Sequence, residues 1–171
     1  MFLRLRDCHN ISDFRKLAKQ RIPSPLFHYI DGGSDDEVTL KRNISAFDNC
    51  DLIPRVLANM TNVDLSTSLF GQKMKLPFFL SPTAMQRLFH HDGEKAIANV
   101  AKKEGIMVGV STIGTVSMEE LATITDGPKI FQLYIHKDKG LTYDLIERAK
   151  KTNFTALALT VDTIVAGNRE R

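Results

Sequence analysis

IMVGVSTIGTVSMEELATITDGPKIFQLY, residues 106–134, reads as strand, helix, strand. IMVGVS (106–111) is a short continuous apolar run, which suits a strand buried on both faces. In SMEELATIT, Ser117 can cap a helix whose first turn holds Glu119 and Glu120, where the helix dipole favours anions. KIFQLY (129–134) opens the next strand. Working outward, LPFFLS (76–81) reads as a preceding strand and TALALTVD (155–162) as a following one. Between them lie two more helices. DGEKAIANVAKKEG aligns Ala96, Ile97, Val100 and Ala101 on one stripe and stops at Gly105, and LTYDLIERAKK joins the third strand to the fourth.

The four strands begin at 76, 106, 129 and 155, spacings of 30, 23 and 26 residues. Consecutive βα units of that length imply a parallel sheet with right-handed crossovers, either an open doubly wound sheet or a closed (β/α)₈ barrel. The polar residues favour the barrel. Every strand ends in groups able to hydrogen-bond a ligand: Ser81 and Thr83, Ser111 and Thr112, Gln132 and Tyr134, Thr160 and Asp162. A crevice at a single switch point would need only two of those tips, whereas a barrel mouth uses all of them. A barrel needs eight units and about 250 residues. The reading is therefore an α/β chain holding an N-terminal helical segment (1–75) and the first four βα units (76–171) of a (β/α)₈ TIM barrel. The other half would come from a longer protein or a second polypeptide.

In the first region, Ser12 is the expected cap of a helix carrying Phe14, Leu17 and Ala18, ended by Pro23. A second short helix, PLFHYIDGG, has Pro25 in its first turn and stops at Gly32 and Gly33.

Composition excludes several classes of function. The chain has 171 residues, 43% of them hydrophobic and 25% charged, enough apolar material for a sizeable core. Its 23 basic and 20 acidic residues are scattered, so the net charge of +3 makes no nucleic-acid footprint. Cys8 and Cys50 stand far apart, without a CxxC or a histidine at metal spacing. LPFFL is far shorter than the roughly 20 apolar residues of a membrane span. Arg4 and Arg6 are followed by the polar CHNISDFRKLAK, which offers no signal-peptide core. The expected location is the cytoplasm, with the inner face of the membrane as its variant.

No GxGxxG, GxxxxGK[ST], HExxH or GxSxG occurs. Adjacent rings on a loop usually point apart, so His90 and His91 are assigned no metal. Ser111, Gln132 and Thr160 offer neutral donors and acceptors to a planar heterocycle with alternating carbonyl and N–H groups; the plainer reading is that the hydroxyls cap the following helices. Asp162 ends a wholly apolar strand, where a carboxylate either orients a neighbouring His or Arg or caps a helix. Arg169 and Arg171, on the loop beyond, suit a carboxylate clamp.

These stretches resemble the FMN-dependent L-2-hydroxy acid dehydrogenases and oxidases, a family that includes glycolate oxidase, mandelate dehydrogenase, and flavocytochrome-type and bacterial L-lactate dehydrogenases. FHYIDGGSDDEVTLKRN, LPFFLSPTAMQ, GVSTIGT, FQLYIHKDKG and LTVDTIVAGNRER occur in the family's order from about residue 12 onward. The resemblance implies the same barrel with a helical N-terminal segment. By position, Pro82, Thr83 and Ala84 resemble the turn that meets the reactive face of FMN, and Ser111, Gln132 and Thr160 the groups at its pyrimidine edge. Tyr29 and Arg169 resemble the residues that hold the substrate carboxylate, Tyr134 the one that contacts its hydroxyl, and Asp162 the carboxylate that pairs with the catalytic histidine.

That histidine belongs to the family's later half, as do a lysine near the flavin, a second arginine and a Gly-rich phosphate site. The resemblance therefore implies that residues 1–171 alone are inactive and bind FMN weakly or not at all. For the intact protein it implies oxidation of an L-2-hydroxy acid to the 2-oxo acid, with a cytochrome, quinone or oxygen as electron acceptor, and assembly into a homo-oligomer. FHYIDGG and RVLANMTNVDLST look closest to bacterial L-lactate dehydrogenases. Ile113 stands where glycolate oxidases tend to carry a large aromatic, so L-lactate is the expected substrate. The competing expectation is a non-catalytic half barrel that self-associates or binds a partner through its open edge strand.

Overall fold

The computed structural model describes residues 3–58, 61–162 and 165–170. The chain forms two compact units, Met60–Ile164 and Met1–Asn59 with Val165–Arg171.

The first of these is α/β. It begins with a hairpin of β1 (Thr67–Leu69) and β2 (Gln72–Met74), turned through Phe70 and Gly71, both at positive φ. Helix α4 (Glu94–Glu104) follows after a long connection and ends at Gly105, whose φ of 64° suits a residue without Cβ. Then come β3 (Val108–Ser111), α5 (Met118–Ile124), β4 (Lys129–Leu133), α6 (Lys139–Lys151) and β5 (Ala156–Leu159). The strands form one parallel sheet in the order β3–β4–β5. Ser111 lies opposite Gln132, and Gln132 opposite Ala158.

Both helix starts in the crossovers are set by side chains that accept from free amides. Ser117 Oγ accepts from Glu120 N at 3.1 Å, as expected. Asp138 Oδ1 accepts from Gly140 N at 2.8 Å and Leu141 N at 3.3 Å, starting α6 two residues earlier than its apolar pattern suggested.

One face of the sheet packs Val110, Phe131 and Leu133 against Ala98 of α4, Met118 and Leu121 at α5, and Leu145 and Ala149 of α6. Phe154 meets Phe131 edge-on, with ring centroids 5.9 Å apart. The other face, near the amino ends of the strands, buries Met107 and Ile130 against Met74 of the hairpin. Strands β3 and β4 are buried throughout, as their apolar runs required. β5 alternates, with Leu157 and Leu159 about half exposed, and among the described residues it pairs only with β4.

Two strand expectations need correction. LPFFLS is not a regular strand among the described residues. It makes one parallel bridge, Leu80 to Val108, fixed by Leu80 N to Met107 O at 3.0 Å and Gly109 N to Leu80 O at 2.7 Å. Pro77 and Pro82 carry no N–H to extend a ladder on either side, and Phe78 and Phe79 are exposed. The fourth strand ends at Leu159 and not at Asp162, although Thr160 N still reaches Leu133 O at 3.1 Å.

The other unit is helical: α1 (Ile11–Arg21), α2 (Ser24–Asp31) and α3 (Val38–Ser45), the last extended by a turn at Ala46–Asn49. Asn10, and not Ser12, caps α1, its Oδ1 accepting from Asp13 N at 2.9 Å. α3 escaped the sequence reading because its start is a left-handed Glu37 (φ 58°) with no capping side chain. Arg15 of α1 holds Asp31 of α2 through two hydrogen bonds, above the buried Leu17 and Phe27. The late stretch joins this unit by Asp35 N to Asn168 O at 2.9 Å and Asn168 Nδ2 to Asp35 Oδ1 at 3.2 Å. A Cβ at Gly167 would meet Ser34 Oγ, so any other residue there would make the Ser34 hydroxyl rotate away.

Candidate functional site

At the carboxyl ends of β3, β4 and β5 the polar residues form one connected chain. Ser111 Oγ donates to Gln132 Oε1 at 3.0 Å, and Gln132 Nε2 donates to Thr160 Oγ1 at 2.7 Å. The same Gln132 Oε1 also accepts from Thr112 N at 3.2 Å. Thr112 Oγ1 donates to Gln132 O at 2.6 Å and accepts from Tyr134 N at 3.1 Å, which ties the loop after β3 to the end of β4. Ser111 and Gln132 are only 5% and 7% exposed, so neither is a solvated surface residue.

This geometry rules out the helix-capping reading of the strand ends. Neither Ser111 nor Thr160 caps a helix among the described residues; α5 is capped by Ser117. The hydroxyls and the amide hold one another across three strands. Capacity is left over. Gln132 keeps a second N–H on Nε2, and Thr160, having accepted from Gln132, still has its own O–H to donate. A rim with fixed neutral donors beside unused acceptor lone pairs suits a planar ring edge of alternating carbonyl and N–H groups.

The SPTAM segment sits against β3 because Gly109 lets it. A Cβ there would lie 2.6 Å from Pro82 N and 2.7 Å from Pro82 Cδ. Met85 N donates to Ile113 O at 3.0 Å, fixing the far end of the turn to the loop after β3. Thr83 is exposed, with Pro82 and Ala84 partly so, and Thr83 N donates to Ser81 O at 2.9 Å. The backbone of this turn is thus pinned at both ends and open along its middle.

Tyr134 is partly buried just past β4. Asp162 is exposed two residues beyond Thr160 and caps nothing among the described residues. In the helical unit, the Arg169 guanidinium lies over the Tyr29 ring, 4.7 Å from its centroid, and Arg169 Nη1 donates to the Tyr29 carbonyl. The stacking orients a planar fork whose remaining N–H groups have no partner among the described residues and suit a bidentate anion. Arg171 lies outside the described residues.

Two features escaped sequence reading. Glu94 is fully buried at the start of α4, where its carboxylate accepts from Thr115 N at 2.8 Å and from Thr115 Oγ1. It ties the loop after β3 to a helix N-terminus whose dipole offsets the buried charge. A single Glu next to a glycine carried no signal for that. Lys129, 1% exposed, donates to Thr125 O at 3.2 Å and Gly127 O at 3.1 Å, and burial pulls its pKa down. It begins β4 at the end opposite the polar tips, so its task is structural.

The expectation that His90 and His91 point apart is overturned. Their rings lie 4.3 Å apart, tilted by 31°, because the turn before α4 folds both toward Asp92.

Comparison with known proteins follows the same residues. The family model described as FMN-dependent dehydrogenase matches residues 18–171. The chain belongs to the FMN-dependent dehydrogenase family. It is 42% identical over 160 residues to an L-lactate dehydrogenase of Vibrio parahaemolyticus, covering 94% of this chain and 42% of that protein. Glycolate oxidase of Spinacia oleracea is 38% identical over 161 residues, covering 94% of this chain and 44% of the relative. Among solved structures, a lactate oxidase of Pediococcus acidilactici superposes with a TM-score of 0.91 at 39% identity, covering 96% of this chain and 46% of the other. A mandelate oxidase variant solved with a C4a-OH-FMN adduct superposes at 0.87 with 35% identity, covering 92% and 48%. The chain thus spans a little under half the length of its relatives. Its parallel sheet and connecting helices are an arc of the family's (β/α)₈ barrel.

Proposed function

We propose that this chain supplies the flavin-edge and substrate-anchoring half of an enzyme that oxidises an L-2-hydroxy acid, L-lactate in the first instance, to the 2-oxo acid. The observation that carries the proposal is the Ser111–Gln132–Thr160 chain, buried at Ser111 and Gln132 and half-buried at Thr160, at the ends of three parallel strands. Its neutral donors and acceptors fit the pyrimidine edge of FMN, and the pinned turn at Pro82, Thr83 and Ala84 suits close approach of a flat ring to backbone. When bound, FMN accepts the two electrons released as the substrate loses its hydroxyl proton and its α-hydrogen.

The residues of this chain position and stabilise. Arg169, oriented by Tyr29, clamps the substrate carboxylate, which removes its rotational freedom and fixes the α-carbon. Tyr134 donates toward the substrate hydroxyl. Asp162 has no cationic partner among the described residues and is suited to stabilise a protonated histidine supplied by the other half of the barrel. Ile113, half exposed beside the turn, leaves room for the lactate methyl group. Further parts of the proposal are a cytochrome, quinone or oxygen as acceptor, a homo-oligomeric protein, and a location in the cytoplasm or at the inner membrane face.

The test is a chimera in which residues 18–171 replace their counterpart in the Vibrio parahaemolyticus L-lactate dehydrogenase. It should purify yellow, and L-lactate should bleach its flavin absorbance faster than glycolate does. A yellow chimera bleached by glycolate in preference would reject lactate alone. A folded chimera that binds flavin and is bleached by no 2-hydroxy acid would favour the non-catalytic half barrel. In the active chimera, Arg169→Lys should raise KM and lower kcat/KM, since an ammonium cannot reproduce the fork; unchanged lactate kinetics would remove Arg169 from the clamp.

A further inference from the structure

The connection from the SPTAM turn to α4 carries a cluster that the hydroxy-acid chemistry does not use. His91 Nε2 lies 3.4 Å from Asp92 Oδ1, and His90 Nδ1 lies 3.8 Å from Asp92 Oδ2. One ligating atom from each of the three residues lies within 4.8 Å of the others. Bond lengths of about 2.0–2.2 Å at a tetrahedral ion place neighbouring ligand atoms about 3.3–3.5 Å apart. The His91 and Asp92 pair is already at that spacing, the His90 nitrogen lies a few tenths of an ångström beyond it from the other Asp92 oxygen, and the three ligand atoms fall within 4.8 Å of one another, so modest side-chain rotation is needed to close the set.

We propose that His90, His91 and Asp92 form a surface site for a borderline divalent transition metal, Zn²⁺ above all. Two imidazoles and a carboxylate are the donor set for such an ion, whereas Mg²⁺ and Ca²⁺ prefer all-oxygen shells. The preorganisation is unusual for adjacent residues: the two rings stack, so both nitrogens are presented to one side of the turn. All three side chains are more than half exposed, so water completes the coordination and little desolvation opposes binding. Two features weaken the site. His90 Nδ1 accepts from Asp92 N at 3.3 Å and must give up that bond, and the positive end of α4 begins two residues later. The outcome is an exchangeable site of surface affinity, one that ties down the Gln86–Gly93 connection when occupied.

The experiment is a calorimetric Zn²⁺ titration of the purified chain at neutral pH, with histidine ring protons followed by NMR. One ion should bind per chain, with the His90 and His91 ring signals shifting together and His9 and His28 unmoved. His91→Ala should weaken Zn²⁺ at least about tenfold without altering the circular dichroism, because the side chain is solvent-facing. His90→Ala should do the same, while Mg²⁺ should give no heat and no ring shifts. Zn²⁺ affinity unchanged in both alanine variants, or ring shifts spread over all five histidines, would overturn the site. The outcome is independent of the flavin assignment, since no residue of the rim or the clamp takes part.

Discussion

The α/β unit and the helical unit are stabilised by different means, and the candidate residues that each carries inherit the difference. In the α/β unit, Phe131, Val110, Leu121 and Met107 are each at most 2% exposed and belong to packed clusters. In the helical unit only Leu17 and Phe27 are buried among the described residues, while Leu52, Ile53, Val56 and Leu57 are each more than four-fifths exposed. What orders this unit is polar: the Asn10 cap, the Arg15 and Asp31 pair, and the backbone bond from Asp35 to Asn168. The proposed flavin rim therefore sits on a well-packed sheet, and the proposed anion clamp sits on a lightly packed scaffold. Such a division suits a cofactor held for many turnovers and a substrate exchanged at each one.

The largest effect that would break this contrast is in the core. Phe131→Ala should cost about 3–5 kcal/mol in urea unfolding, a transfer cost plus a cavity that the closed cluster cannot collapse. Phe27→Ala should cost about 1.5–3 kcal/mol, the transfer cost alone, because its surroundings are open enough to close up. Equal costs at the two positions would erase the distinction between the units.

A step smaller is Gln132→Leu, nearly isosteric but unable to hydrogen-bond. It leaves the Ser111 hydroxyl without its acceptor and the Thr160 hydroxyl without its donor, while Thr112 N keeps the Gln132 backbone carbonyl, and should cost about 1–3 kcal/mol, read as a lower urea midpoint at unchanged slope. A neutral result would mean that the strand-end chain does not lock the sheet.

The smallest effect is electrostatic. Two hydrogen bonds from Arg148 of α6 hold the Glu119 carboxyl of α5 down at about 2. A depressed carboxylate pKa contributes stability that is complete above the unfolded value of about 4.3 and lost as the pH falls toward 2. Both side chains are solvent-screened, so the contribution is below about 1 kcal/mol. Arg148→Ala should flatten the stability profile between those pH values and leave it unchanged near pH 7 apart from a small offset. A profile that keeps its slope would assign the acid sensitivity to other carboxylates.

The same contrast explains what the sequence discloses. Strands β3 and β4 are legible because burial on both faces demands unbroken apolar runs, and the rim is legible because Ser111, Gln132 and Thr160 interrupt those runs at the same end. LPFFLS imitates a strand in composition while two prolines deny it a ladder. The three-residue strands of the β1–β2 hairpin are too short to show an alternation, and α3 starts from a left-handed Glu37 with no capping side chain to announce it. Within the site, the partners of Tyr29 and Glu94 are long-range and leave no spacing to read. Arg169 lies 140 residues from Tyr29, and Thr115 lies 21 from Glu94.

The central claim is that Ser111, Gln132 and Thr160 together grip the edge of the flavin. The most direct test is the FMN dissociation constant of the lactate dehydrogenase chimera before and after Gln132→Leu, measured by flavin fluorescence quenching. Loss of the rim should weaken binding at least about tenfold, equivalent to about 1.4 kcal/mol. An FMN affinity left intact by Gln132→Leu in a folded chimera would contradict the assignment.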